Sequence, residues 1–266
     1  MKRQLLLWVF IGFAIDAFSI DSFPIEGPSS SLKTVETITL KQFIQISMQP
    51  VGQTMYVWGG GWNEEDTGAG EEALTIGVSP NWKDFFEGQG GNYDYNQFDY
   101  MIHSGLDCSG FLGWALFNLI PNETGYVVKS GDLTGALASF DWGEKYLKSK
   151  IKKHIAGDIM GKDGHVWISM GTCSDGSVLI LQSSPPGVSL YGTQNGRRKS
   201  EAVILAEQYM SRFFPSWYEK FPDCRRGNSF LSDYDMFRWD EEFLKDPDGY
   251  RQMDPAEILK DLFGKS

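Results

Sequence analysis

Gly105-Leu-Asp-Cys-Ser-Gly-Phe-Leu-Gly-Trp-Ala-Leu-Phe-Asn118 is the segment that decides how this chain folds. Phe111, Leu112, Ala115, Leu116 and Leu119 recur at helical spacing, and Pro121 ends the run. Asp107 is a good N-cap residue, because its carboxylate accepts from the unpaired N–H groups of a first turn. Cys108 then takes the first helical position. The N–H groups and dipole there favour an anion, so the spacing predicts a thiol with a lowered pKa and an enlarged thiolate fraction. Gly110 and Gly113 each cost a helix about 1 kcal/mol relative to Ala, which predicts that something approaches this helix closely. A small buried cysteine packing a helix end is the plainer alternative.

A cysteine nucleophile needs a base, and the chain offers three histidines. His154 ends the lysine-rich run Lys145-Tyr-Leu-Lys-Ser-Lys-Ile-Lys-Lys-His154, which reads as a solvated helix face. His103 lies five residues before Cys108 on an irregular approach, either in a pocket or exposed. His165 opens the strand pattern Gly164-His-Val-Trp-Ile-Ser-Met-Gly171, which turns near Asp175-Gly176 and returns as Val178-Leu-Ile-Leu-Gln-Ser-Ser184, a β-hairpin. With a two-residue turn, His165 faces Pro186 and Gln182 faces Ser169. With a longer loop from Gly171 to Gly176, His165 faces Gln182 directly. Side chains alternate along a strand, so Gln182 shares the histidine's face in both registers. There it can accept the imidazole N–H and orient the ring, unless it is simply a polar strand residue facing solvent.

Outward from this segment, the 266 residues carry 24 Lys+Arg against 35 Asp+Glu, a formal net charge of −11. Such a surface repels polyanions, which argues against nucleic acid and anionic membrane surfaces as partners. The length suits one enlarged domain or two small ones, and 41% hydrophobic with 14% aromatic residues excludes wholesale disorder. Three cysteines are too few for a disulfide scaffold and leave at least one thiol unpaired. Lys2 and Arg3 precede the apolar run Leu5 to Ile15, followed by Asp16 and the small residues Ala17 and Ser19, the pattern of a signal peptide over 1–19 or a retained signal anchor. Cleavage after Ser19 removes two positive charges and one negative, so the mature chain is acidic too. Residues 20–36 read as a linker and Thr37 to Met48 as a helix with Leu40, Phe43 and Ile44 on its apolar side. From Asn63 to Gly105 the chain is rich in Gly, acids and rings (Trp82, Phe85, Phe86, Tyr93, Tyr95, Phe98, Tyr100), either a lid or binding loop or a small aromatic core.

Several of these segments together resemble the ordered blocks of the NlpC/P60 family of papain-like cysteine peptidases. The blocks are Tyr56-Val-Trp-Gly-Gly, Leu106-Asp-Cys-Ser-Gly-Phe, Gly157-Asp-Ile-Met, Gly164-His-Val-Trp-Ile-Ser-Met-Gly and Leu179-Ile-Leu-Gln-Ser-Ser-Pro, from about Tyr56 to Val188. The resemblance implies an α+β fold, a cysteine-bearing helix packed on a small antiparallel sheet, with a catalytic domain over 37–200. It implies an exported bacterial enzyme that cuts an amide bond in peptidoglycan stem peptides, between γ-D-glutamate and a diamino acid. By motif, Cys108 is the nucleophile, His165 the base, Gln182 the orienting residue and Tyr56 a ring near the thiol, with Asp107 and Ser109 helping to recognise the stem peptide. Two features depart from the family pattern. Forty-eight positions separate Gly60 from Cys108, so 63–105 is a long insertion that covers or reshapes the groove, and the third catalytic position is more often His than Gln.

Residues 201–266 read as a helical extension packed on this core: a helix over Glu201 to Phe214, an aromatic run from Phe213 to Phe221, and another helix starting at Asp254-Pro-Ala-Glu. Cys173 and Cys224 either pair in an oxidising compartment or remain inert thiols. No ligand cluster with metal-binding spacing stands out, so neither metal nor cofactor is expected, and a monomer secreted or held at the cell wall is. The competing functions are a non-catalytic exported binder of peptide or glycan, and an amidase or acyltransferase using the same Cys–His pair.

Overall fold

Four helices begin where a polar side chain takes up the first-turn N–H groups. In the first, α1 (Leu40–Met48), the Thr39 hydroxyl accepts from the Gln42 N–H while the Gln42 side chain accepts from the Thr39 N–H. The sequence places this helix three residues early, because Thr39 is its cap. After α2 (Pro80–Glu87) comes α3 (Cys108–Leu119), capped by Asp107, and then α4 (Leu133–Ser139). The strands β1 (Gly143–Tyr146), β2 (Ala156–Lys162), β3 (His165–Thr172), β4 (Val178–Ser184) and β5 (Gly187–Gln194) follow. The chain continues through α5 (Glu201–Phe213), capped by Ser200, and α6 (Pro215–Lys220), to β6 (Arg225–Gly227). Last come α7 (Ser229–Ser232), β7 (Asp235–Trp239) and α8 (Pro255–Phe263), capped by Asp254. This computed structural model describes residues 37–194 and 196–264. The signal-like segment and the linker lie outside them.

The fold is α+β. Its sheet runs β1-β7-β2-β3-β4-β5-β6, antiparallel except for the parallel pair β5 and β6. A small antiparallel sheet with a helical extension is therefore too simple: the C-terminal segment supplies an edge strand, β6, and inserts β7 between β1 and β2. Three- and five-residue strands flanked by polar residues carry too little periodicity to be seen in sequence. Residues from Thr37 onward form one unit, with no boundary at residue 200.

Both faces of the sheet are covered. On one, Val166, Ile168, Leu179, Leu181, Val188 and Leu190 pack into the main core with α1, α3, α5 and α8. On the other, Met160, Trp167, Ile180, Tyr191, Tyr234 and Met236 form a second cluster. Every residue of α3 except Asn118 is buried, the condition of a helix that is apolar all round. The insertion helps to bury it, Trp82 meeting Trp114 edge to face at 5.8 Å and the Trp114 indole donating to the Gly77 carbonyl. Only part of 63–105 is therefore a packing layer: Trp82 lies on α3 and Phe86 against Trp217 of α6 with ring centroids 5.2 Å apart, while most of residues 91–100 are exposed.

The lysine-rich run is not an α-helix, although Lys148–Lys150 forms one exposed 3-10 turn. Its first part is β1, edge-paired to β7 with Lys145 on Asp235 at 3.3 Å, and His154 is buried against Trp167 with ring centroids 5.9 Å apart. Lysine on an edge strand keeps that edge from pairing further, a role sequence alone does not separate from a solvated helix.

Close approach to α3 is real at both glycines. A Cβ on Gly110 would fall inside the Gly60 carbonyl oxygen, and one on Gly113 would meet the Val127 side chain at 2.5 Å. Gly135, in α4, has nothing within 4 Å of its missing Cβ. Gly135→Ala should gain up to about 1 kcal/mol of helix propensity, whereas Gly110→Ala, with the same propensity gain, should lose about 1–3 kcal/mol to overpacking. Denaturant titration of the two variants checks this, and equal effects would refute the close contact.

Candidate active site

The loop from Met55 to Trp62 ties the start of α3 to the sheet. Met55 bridges both Gly105 and Gly187, its carbonyl accepts from the Leu106 N–H at 3.1 Å, and the Gly60 carbonyl accepts from the Asp107 N–H at 2.9 Å. On the far side the Tyr56 N–H donates to the Pro186 carbonyl at 2.8 Å, and the Ser183 hydroxyl donates to the Leu106 carbonyl at 2.6 Å. The cysteine turn is therefore held from the tyrosine loop and from β4.

Asp107 caps α3 by accepting from the Gly110 N–H at 2.7 Å and from the Ser109 hydroxyl at 2.9 Å, and the Trp62 indole donates to that hydroxyl at 3.1 Å. Both Asp107 and Ser109 are buried, with these bonds directed inward. Burial pushes the Asp107 carboxyl up to about 6, against the N–H and O–H groups of Gly110 and Ser109 that favour its charge.

Cys108 lies at the first position of α3, as its spacing requires, but only 6% exposed. Burial pushes its thiol up to about 12, the Asp107 charge adding to the effect, while the N–H groups of Val166, Ser109 and Cys108 itself work the other way. This runs against the expected thiolate-rich cysteine, since burial disfavours the anion that the helix terminus favours. The Val166 N–H against the sulfur brings the first residues of β3 to the cysteine. Tyr56 is there as well, and the negative charge of an ionised Cys108 would oppose its ionisation, as it would that of Tyr234.

His165 begins β3, its ring edge-to-face with Phe230 and Tyr234. The β3–β4 register pairs Ile168 with Leu181 and Ser169 with Ile180, shifting before Thr172 pairs with Val178. This lies between the two registers read from the turn, because the strands are irregular near it. Gln182 still shares the face of His165, and its amide lies 2.7 Å from His165 Nε2. Nδ1 is thereby the ring nitrogen that Gln182 leaves free. Burial pushes the imidazole down to about 4, and the charges of Arg226 and Lys162 lower it further. Both shifts favour a neutral thiol and a neutral imidazole.

Arg226 on β6 was not signalled as a site residue, although Arg225-Arg226 stands out in so acidic a chain. Its guanidinium lies 3.5 Å over the Tyr191 ring and donates to the Ser184 hydroxyl at 2.7 Å and to the Arg225 carbonyl at 2.8 Å. Gln182 lies within the same network. With its amide oxygen turned to Arg226 it accepts from Nε at 2.8 Å and from the terminal nitrogen at 3.3 Å, and its nitrogen donates to His165 Nε2. The reverse orientation sets amide nitrogen against guanidinium nitrogen, leaving donors unsatisfied at about 1–3 kcal/mol each.

His103 is bonded through Nδ1 to Glu72 at 2.5 Å, and His154 is buried with Nε2 lacking a partner among the described residues. Cys173 and Cys224 are buried free thiols, each pushed up to about 12 by burial. Among the described residues no three His, Cys, Asp or Glu side chains are grouped to hold a metal ion. Comparison with protein-family models, curated proteins and solved structures finds no match to this chain.

Asp107 has a folded pKa above its unfolded value, so the stability that its protonation adds is present below the unfolded value of 3.8 and lost as pH rises through about 6. Asp107→Asn keeps a capping side chain without this titration. Relative to the parent, it should gain roughly 2 kcal/mol between about pH 4 and pH 7, read from denaturant titrations at both. A pH-independent difference would contradict the buried, raised carboxyl.

Proposed function

We propose that the chain is an exported cysteine hydrolase of the papain-like NlpC/P60 type, cutting a γ-D-glutamyl-diamino acid bond in peptidoglycan stem peptides. The observation that carries this reading is the cysteine at the N-terminus of a buried helix, with the first residues of β3 against its sulfur and Gln182 on the far nitrogen of His165. The N-terminal signal pattern, outside the described residues, supports export.

Since both groups rest neutral, the proton moves with the attack rather than before it. With the imidazole proton on Nε2, the Cys108 proton passes to the free His165 Nδ1 as the sulfur bonds to the substrate carbonyl carbon and the carbonyl electron pair goes to oxygen. The Cys108 N–H and the Tyr56 hydroxyl stabilise that oxyanion. Collapse expels the amine, which takes the proton from Nδ1, and leaves a thioester. Water, giving its proton to the same nitrogen, then releases the acid and restores the thiol. Asp107, Ser109 and Trp62 hold the turn that aims the N–H group, and the exposed rings Trp58 and Tyr100 give the stem peptide an apolar rim.

Digestion of purified peptidoglycan by the full chain, with new termini identified by mass spectrometry, tests this reading. Fragments ending at γ-D-glutamate are expected, Cys108→Ser should abolish them, and Tyr56→Phe should lower kcat on the order of a hundredfold. Stem peptides freed at the lactyl group would indicate an amidase and contradict the endopeptidase. Saturable binding without any cleavage would indicate a non-catalytic binder and contradict the enzyme.

A further inference from the structure

The active-site network extends to one cation that the proposed chemistry does not use. Arg226 comes from a three-residue edge strand, paired in parallel with β5 through Gly192, Thr193 and Gln194. Among the described residues no carboxylate forms a salt bridge with it, so its donors turn to the Ser184 hydroxyl, the Arg225 carbonyl and the Gln182 amide. An amide presents oxygen on one side only. If the oxygen faces Arg226, the nitrogen faces His165 Nε2 at 2.7 Å, and Nε2 has to be the unprotonated acceptor. A neutral imidazole has a single N–H, which is then on Nδ1.

We infer that Arg226 is a positioning residue: by holding the oxygen of Gln182 it keeps the His165 proton on Nδ1, the nitrogen that has to receive the Cys108 proton. The inference rests on the cysteine-hydrolase reading for its catalytic meaning, though not for its geometry. In the resting arrangement sulfur and Nδ1 each carry a proton, and no transfer between them is open. Once Arg226 leaves the amide, Gln182 turns its oxygen to Nε2. One proton is lost from Nδ1 to solvent and one is gained at Nε2, with no net change, and Nδ1 is free to act as the base. The orienting residue therefore has two settings, and the guanidinium selects the inactive one.

With only three histidines in the chain, the ring nitrogens of His165 are assignable by nitrogen NMR of the histidine-labelled full chain, using loss of signals in His165→Ala. The parent should show the Nδ1–H form. Arg226→Met, which keeps an apolar stem over Tyr191, should show the Nε2–H form. Iodoacetamide alkylation of Cys108, followed by peptide mapping to exclude Cys173 and Cys224, should then be faster on the order of tenfold. Gln182→Glu, whose two oxygens both accept, should give the Nε2–H form with Arg226 in place, a route that does not depend on how Arg226→Met folds. An Nε2–H parent, or an Nδ1–H form persisting in Gln182→Glu, would overturn the inference. These readouts need no substrate. A tautomer shift in a chain that cuts no peptidoglycan would sink the hydrolase reading alone, and Cys108-dependent cutting with an Nε2–H parent would sink this inference alone.

Discussion

The carbonyl of Gly60 lies against the bare α-carbon of Gly110, in the volume a side chain would fill. Because residue 110 has no Cβ, the tyrosine-glycine loop can lie against the first turn of α3, and its carbonyl can accept from the Asp107 N–H. That contact fixes where the helix starts, and so where Cys108 is. The same loop is bound to the β4–β5 connection through Tyr56, which brings β3 and β4 to the cysteine. Helix, loop and sheet share one constraint, and the site is where they meet.

Burial, rather than the helix terminus, then sets the chemistry. The dipole and the first-turn N–H groups favour a thiolate, but Cys108 is part of the main core and only 6% exposed. Desolvation of an ion costs more than a dipole returns, so thiol and imidazole both rest neutral. The charge nearest His165 is positive, and it acts on the amide that orients the ring. Such a site holds its reactive groups in place without activating them in advance.

Much of this was legible from local patterns. Asp107 before an apolar helical run marks a cap wherever it occurs, two glycines in a core helix point to a backbone close by, and alternation put Gln182 on the face of His165 without knowledge of the register. What stayed hidden depended on long-range pairing. β6 and β7 are short strands whose place in the sheet follows from partners more than thirty residues away, so neither the mixed sheet nor Arg226 could be seen from spacing. Lys145 to His154 carried the composition of a solvated helix because an exposed edge strand selects the same residues. For the Cys108 thiol, sequence shows the helix terminus but not the burial that works against it.

The central claim is that the fold holds Cys108 as a dry, neutral thiol at the start of α3. Ultraviolet absorbance of the thiolate, recorded across pH as the difference between the full chain and Cys108→Ser, measures that state directly. No thiolate from Cys108 should form below about pH 10, in keeping with its raised pKa. A Cys108 thiolate already present at neutral pH would show that the helix terminus outweighs burial and would contradict the account.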